Sequence, residues 1–401
     1  VGPDKKWTGY AKGGELSPYF CDVDLLLNAE GSLREIKADL NRKYPYLKGN
    51  LDWVIHPQND YYKPGLTFGQ RTTFLRVSAL PEGVFFSVAG KAIFGTKQSN
   101  ESLLQSINTP SAQYLISLRR EFLEINPQFQ AGGVSRMPWP EISDTHQEYL
   151  AGLAMQNAAL VERVLSFDET THYFRGVVDK KAYSECIQEA KEKILRNEFD
   201  ADSVMSEYLA LSKQDREFIN EEIVSRWPSR STANWYVYNE FKDEISYAVG
   251  CAFKRWEMSG STAEEGGGGK GHDPFSALPV KSPAMASCAF GKNNGETSVD
   301  ILDLSSDGKG ALKARVSEHL RVLCGEEFEK FEEQACRKLK VKSLDEYFTK
   351  MGKFFADHYS KYSKTGRRAP IYWPLGTASG DYTVWVYYPA LTSQTLFTAV
   401  N

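Results

Sequence analysis

The spacing of apolar residues changes period partway along the chain, and this change constrains the fold more than any other feature. Up to about residue 95 the apolar runs are short, at 20–27, 51–55, 72–77 and 83–89, with Gly, Pro and Asn/Asp turns between them. That is the pattern of strands. Thr109-Pro110 then places a capping hydroxyl before a proline at a first helical position, and Tyr114, Leu118 and Phe122 follow at four-residue steps. This predicts a helix ending near Asn126-Pro127, with Gly132-Gly133 and Met137-Pro-Trp-Pro140 closing the unit. From 144 to 258 the pattern is helical almost throughout: Leu150, Leu153, Leu160, Val161 and Val164 mark one helix, and Phe241, Ile245, Val249, Phe253 and Trp256 another. The charge-rich stretches 179–197 and 212–226 face solvent in this reading.

Gly260 to Gly271 is poor in apolar residues and predicts a flexible linker. The proline-bearing stretch 273–283 follows, as an extended arm that clamps another surface. Helices are expected at 312–323, 326–339 and 343–361, and a β-hairpin from 369–373 and 382–388. The fold class is therefore α+β. Four segments are expected: 1–143 as a mixed α and β recognition domain, 144–258 as a helical spacer, 259–285 as linker and arm, and 286–401 as a C-terminal α+β lobe. A chain of 401 residues exceeds the usual single core of about 100–200 residues, so several domains are expected.

Charge narrows the partners. Residues 1–140 carry 16 Lys plus Arg against 13 Asp plus Glu, a balance of +3, which leaves −7 for the rest of a chain whose net charge is −4. A surface that binds nucleic acid everywhere is excluded, and any basic face is local. Six dispersed cysteines without a Cys-x-x-Cys pair, and no signal peptide, point to a reducing cytoplasm. No run approaches the roughly 18 apolar residues that a membrane-spanning helix needs. The chain begins Val1-Gly2-Pro3 without Met and reads as a fragment or a processed protein.

Catalytic patterns are missing. The six histidines share no i, i+4 spacing and predict no metal site. Lys270 is followed by Gly271, not by the Ser or Thr of a phosphate loop, and there is no Gly-x-Ser-x-Gly elbow. The Asn/Asp-Pro-Pro-Tyr/Phe tetrapeptide and the Gly-rich turn of base-modifying amino methyltransferases are also absent.

Several segments nevertheless match one enzyme group in order. They are Tyr61-Tyr-Lys-Pro-Gly-Leu-Thr-Phe68, Arg71 to Val77, Gly83-Val-Phe-Phe-Ser-Val-Ala-Gly-Lys-Ala-Ile-Phe94, Ser102 to Leu118, and Gly132 to Pro140. Glu244 to Trp256, Asp273-Pro-Phe-Ser-Ala-Leu-Pro279, Arg368-Ala-Pro-Ile-Tyr-Trp-Pro-Leu375 and Tyr382 to Tyr388 complete the set. Together they resemble the C-terminal portion of PglX-type DNA adenine methyltransferases of BREX phage-defence systems, to which type IIG restriction-modification enzymes and DISARM methylases are related. The resemblance implies transfer of a methyl group from S-adenosylmethionine to adenine N6 in a short site. The catalytic domain would lie upstream of Val1, so no cofactor is expected in this chain.

The partners then expected are duplex DNA, the upstream methyltransferase domain and other defence-system proteins. Lys63, Arg71, Thr72, Thr73 and Arg76 form the polar, basic stretch of the recognition region, where Arg can fork onto guanine and Thr can meet a base edge or phosphate. An ordinary solvated strand edge is the competing reading. Lys91 and the pair Arg119-Arg120 are phosphate contacts or plain surface cations. Lys361, Lys364, Arg367 and Arg368 make a basic run that either clamps the DNA backbone or lies in a solvated loop. Tyr372, Trp373, Trp385 and Tyr387 could stack on bases, but alternating aromatics in a terminal hairpin favour a core. The second functional reading is a scaffold that docks other subunits, and the acidic balance after residue 140 keeps it open.

Overall fold

The structure is a computed structural model. It describes residues 6–13, 17–52, 54–55, 60–72, 74–87, 90–94, 97–118, 128–178, 180–223, 235, 237–258, 271–286, 288–289, 292–293, 296–304, 311–349, 353–364, 367–376 and 382–400. Mixed helices and small sheets make it an α+β fold, as the sequence predicts.

The first part carries two three-stranded sheets. In one, β1 (Trp7–Ala11) is central, antiparallel to β2 (Leu26–Asn28) and parallel to the later strand Val84–Phe86. Next along the chain is α1 (Glu30–Lys43), in which Gly31, Ser32 and Leu33 take left-handed angles, so the regular turns begin at Arg34. The second sheet has β3 (Gly65–Gly69) at its centre, antiparallel to β4 (Val77–Leu80) and β6 (Gly90–Ile93), while β5 (Val84–Phe86) completes the first sheet. The expected strand at 51–55 is instead a turn in which Val54 and Ile55 both donate to the Leu51 carbonyl. The strand expected at 20–27 shrinks to β2 at its end, and the 72–77 run begins pairing only at Val77.

Helices α2 (Asn100–Ile107), α3 (Pro110–Leu118) and α4 (Ala131–Ser135) follow. Ser99 caps α2 by accepting from the Ser102 N–H at 3.1 Å. Pro110 opens α3 as expected, but the cap differs. The Ser111 N–H and hydroxyl both donate to Asp202, and Thr109 donates to the Ser106 carbonyl instead. The expected end of this helix, Asn126-Pro127, lies outside the described residues.

Next come α5 (Asp144–Leu165), α6 (Lys180–Tyr208), α7 (Lys213–Ile223) and α8 (Glu240–Ala252). On α6, Tyr183, Cys186, Ala190, Ile194, Asn197, Ala201 and Met205 recur at three- and four-residue steps and are buried. One core joins α2, α5 and α6 to the second sheet: Leu66, Phe68 and Val77 pack with Leu104, Ala158, Val161, Cys186 and Ile194. Residues on both sides of position 143/144 therefore share it. Each large side chain so buried contributes ~1.5–3 kcal/mol.

The Gly-rich stretch lies outside the described residues except Gly271. Beyond it, the arm seats Phe275 in that shared core and Leu278 against Tyr61, Phe85 and their neighbours in a smaller core under α1. Glu82 donates its N–H to the Phe275 carbonyl at 2.9 Å. The clamping arm thus grips the first part of the chain.

The last part of the chain holds β7 (Lys292–Asn293), β8 (Glu296–Thr297), β9 (Ile301–Asp303), α9 (Leu312–Cys324) and α10 (Phe328–Leu339). The expected third helix is described as two, α11 (Leu344–Thr349) and α12 (Phe354–Lys361). A short hairpin, β10 (Ser363–Lys364) and β11 (Arg367–Arg368), precedes the predicted hairpin of β12 (Tyr372–Gly376) and β13 (Thr383–Tyr387). β13 also pairs with β9, and α13 (Ser393–Val400) ends the described chain. Tyr372, Trp385 and Tyr387 are buried with Phe354 and with Ile245, Val249 and Phe253 in one core that residues on both sides of 258 share, while Trp373 is 40% exposed.

Candidate nucleic-acid interface

At the end of β3 the ladder closes with Phe68 opposite Lys91 and Gly69 opposite Gly90. The chain then turns through Gln70 and Arg71, and the Thr72 hydroxyl holds the turn by donating to the Phe74 carbonyl at 2.8 Å. Segment 128–130 docks beside it, because the Phe129 N–H donates to the Gln70 carbonyl at 2.8 Å. Three glutamines converge there. Lys91, only 8% exposed, donates to the Phe129 carbonyl at 3.2 Å and to Gln130 Oε1 at 2.9 Å. Burial lowers the Lys91 pKa. Gln130 Nε2 donates to Gln128 Oε1 at 3.0 Å, and Gln70 Nε2 donates to the same oxygen at 2.6 Å.

Arg71 is exposed beside this cluster and has no partner among the described residues. Lys63 is also exposed, at the other end of β3, and pairs with Asp60 at 3.3 Å. Thr72 is half-buried and committed to its turn, and Thr73, Arg119 and Arg120 lie outside the described residues. Arg367 and Arg368 are exposed on β11, with the Arg368 guanidinium 5.2 Å from the Tyr359 ring centroid. The structure thus gathers Arg71, Thr72 and Lys91 at one corner, and sets Lys63 and the Arg367-Arg368 pair elsewhere. Sequence reasoning missed Gln70, Gln128 and Gln130. The Gln-x-Gln spacing was the available signal, but amides gain meaning only from what they face.

Arg76 is placed inward. Its guanidinium is 2.6 Å from Glu198 on α6, with side-chain exposures of 13% and 0%. Tyr19 donates its hydroxyl to the same carboxylate at 2.9 Å, and burial pushes the Tyr19 pKa well up. Gln105 donates to Tyr19 at 3.3 Å, Asn157 to Gln105 at 3.0 Å, and Asn197 to Asn157 at 2.8 Å. This buried chain of polar groups ties the second sheet to α2, α5 and α6.

A second buried network carries Lys361 away from the expected basic run. Lys361 meets Asp243 at 2.8 Å and Glu169 at 3.4 Å, and Lys364 meets Asp168 at 3.5 Å. Ser246 donates to Glu169 at 2.6 Å, and Arg255 donates to the Tyr362 hydroxyl and the Glu169 carbonyl. Arg255 also stacks 3.9 Å from the Trp256 ring centroid. A methyl group on Gly250 would overlap that same ring, so the family-like segment 244–256 is a packing unit.

Gly271, the described end of the Gly-rich stretch, faces the Glu162 carboxylate, which accepts from the His272 N–H at 2.7 Å. Among the described residues, no group of three His, Cys, Asp or Glu could hold a metal, and no helix is long and apolar enough to cross a membrane. A cavity of about 770 Å³ beneath β3 is lined mainly by apolar side chains, among them Phe68, Leu103, Ile107 and Trp139. It offers no cluster of cations for DNA.

No family model matches the chain. It is similar to an adenine-specific methyltransferase, BrxX, of Escherichia coli O9:H4 (strain HS), 24% identical over 404 residues that cover 92% of this chain and 31% of that protein. The chain spans about a third of the length of the curated relative it matches. The match supports a protein related to BREX-type methyltransferases.

Proposed function

We propose that this chain is the DNA-recognition portion of a site-specific adenine-N6 DNA methyltransferase of a phage-defence or restriction-modification system. The observation that carries the reading is the similarity to an adenine-specific methyltransferase along nearly the whole chain. In this reading 1–143 form the target-recognition domain, 144–258 brace it, 259–285 strap the parts together, and 286–401 form a lobe that adds a backbone grip. The methyl donor S-adenosylmethionine and the catalytic domain belong to the parent enzyme, outside this chain.

The corner at the end of β3 supports the reading. Arg71 stands exposed beside polar amides, the residue types that meet phosphates and base edges in a major groove. Lys63, Arg367 and Arg368 are the other exposed cations assigned to DNA. Lys91 acts by holding the corner in place, and Arg76 by bracing the second sheet against α6. Fluorescence anisotropy with labelled duplexes tests the reading across a salt series. Binding that weakens steeply with salt and prefers one duplex sequence is expected. Equal affinity for every duplex refutes it.

A second reading, a scaffold for other defence proteins, is favoured by one feature of the C-terminal lobe. Trp373, Leu375, Tyr382, Tyr388, Leu396 and Val400 are exposed apolar residues on the terminal hairpin and α13. Salt-insensitive capture of partner subunits with no DNA shift would support it over the first.

A further inference from the structure

The three glutamines at the end of β3 are not interchangeable amides, because a lysine fixes which way each one points. Lys91 can only donate, so Gln130 must turn its oxygen to it. The Gln130 nitrogen then faces Gln128, whose oxygen must accept. Gln70 also donates to that oxygen, so its own oxygen points away from the cluster. Two groups are left over: the Gln128 amide nitrogen, with two hydrogens to give, and Gln70 Oε1, with lone pairs to fill. Neither has a partner among the described residues, and neither is a buried orphan.

From this we infer that Gln128 and Gln70 form a specificity-determining pair that reads an A·T base pair in the major groove, with Lys91 and Gln130 as positioning residues. The inference rests on the DNA-recognition reading above. Adenine alone among the bases presents an acceptor, N7, beside a donor, the N6 amine, on its major-groove edge. The Gln128 nitrogen would donate to N7 and Gln70 Oε1 would accept from N6. Guanine offers two acceptors, O6 and N7, which leaves the Gln70 oxygen facing another oxygen. Cytosine and thymine lack the adjacent pair. Exposed Arg71, next in sequence, supplies the charge that brings a phosphate or a neighbouring guanine into range.

Gln128→Glu is the decisive variant, since a carboxylate still accepts from Gln70 and Gln130 but turns the outward donor into an acceptor. The internal bonds are kept and the outward face is reversed. Wild-type chain and Gln128→Glu are each put through selection from a randomised duplex library. The selected site is then remade with 7-deazaadenine, which removes N7 and nothing else, at each adenine in turn. The expected result is an A·T position that wild type selects and Gln128→Glu does not, where 7-deazaadenine weakens wild type about 10-fold or more and leaves the variant unchanged. Lys91→Met is expected to blur the same position only. If wild type selects a site and Gln128→Glu selects it identically, the assignment of this pair is overturned while DNA recognition stands. If wild type selects no site, both fall. An amide of a protein partner could take the same donor and acceptor, but it would show no dependence on N7.

Discussion

Replacing Arg76 with Ala separates a structural role from a DNA-reading one. The guanidinium neutralises a carboxylate, Glu198, that has no solvent exposure and also accepts from Tyr19. Removing one member of a buried pair leaves the other charge uncompensated and costs about 3–5 kcal/mol. With a denaturant slope of roughly 2–3 kcal/mol per molar urea, the unfolding midpoint of the sheet-and-helix core falls by about 1–2.5 M. Tryptophan fluorescence across a urea series measures this. The double change Arg76→Met with Glu198→Gln removes both charges and is expected to recover most of the loss. In buffer without urea, the folded Arg76→Ala chain is expected to bind DNA as wild type does. A variant that unfolds with wild type yet loses DNA binding refutes the reasoning, because the ion pair would then carry no stability and the arginine would be meeting DNA.

Lys361→Met deprives Glu169 and Asp243 of their shared cation, and a similar loss of about 3–5 kcal/mol is expected, read as faster hydrogen exchange in α8; unchanged exchange would speak against it. His358 accepts from the Ile371 and Tyr372 N–H groups through Nε2, and burial, aided by Arg255 and Lys361, pushes its pKa down to about 3. The unfolded histidine titrates near ~6.5, so as pH falls from there toward 3 the unfolded chain takes a proton that the folded one refuses, and stability drops by about 1.4 kcal/mol per pH unit. Urea unfolding at pH 7, 6 and 5 is expected to show that slope in wild type and a shallower one in His358→Asn; equal slopes would contradict it. Changing Arg367 and Arg368 together to Ala is expected to flatten the salt dependence of DNA binding by about two contacts, a slope change of roughly 1.8 in log Kd against log salt, and no change in slope would remove β11 from the interface.

What the sequence made legible is what depends on local spacing. The helices α5, α6, α8, α9 and α10 follow from apolar residues at three- and four-residue steps, and Tyr372, Trp385 and Tyr387 were favoured as core by their alternation in a hairpin. Local spacing fails where a distant partner decides. Arg76 looks like a DNA cation in its own stretch, and only α6, 122 residues further on, turns it inward. Lys361 stands in a basic run, yet Asp243 and Glu169 hold it from 118 and 192 residues away. The glutamine cluster joins Gln70 to a residue 58 positions later, so neither end signals alone. Helix α1 escaped notice for a different reason: its first turn is left-handed at Gly31, Ser32 and Leu33, and only Leu33 on it is buried, which leaves little apolar periodicity to see.

In the function proposed above, this chain distinguishes one short DNA sequence from others. The most direct test is the ratio of dissociation constants for a selected duplex and a scrambled duplex of the same composition, measured at physiological salt. A ratio of about 1,000 or more is expected of a specific DNA reader. A ratio near one, with binding that merely follows salt, would show that the chain does not read DNA sequence.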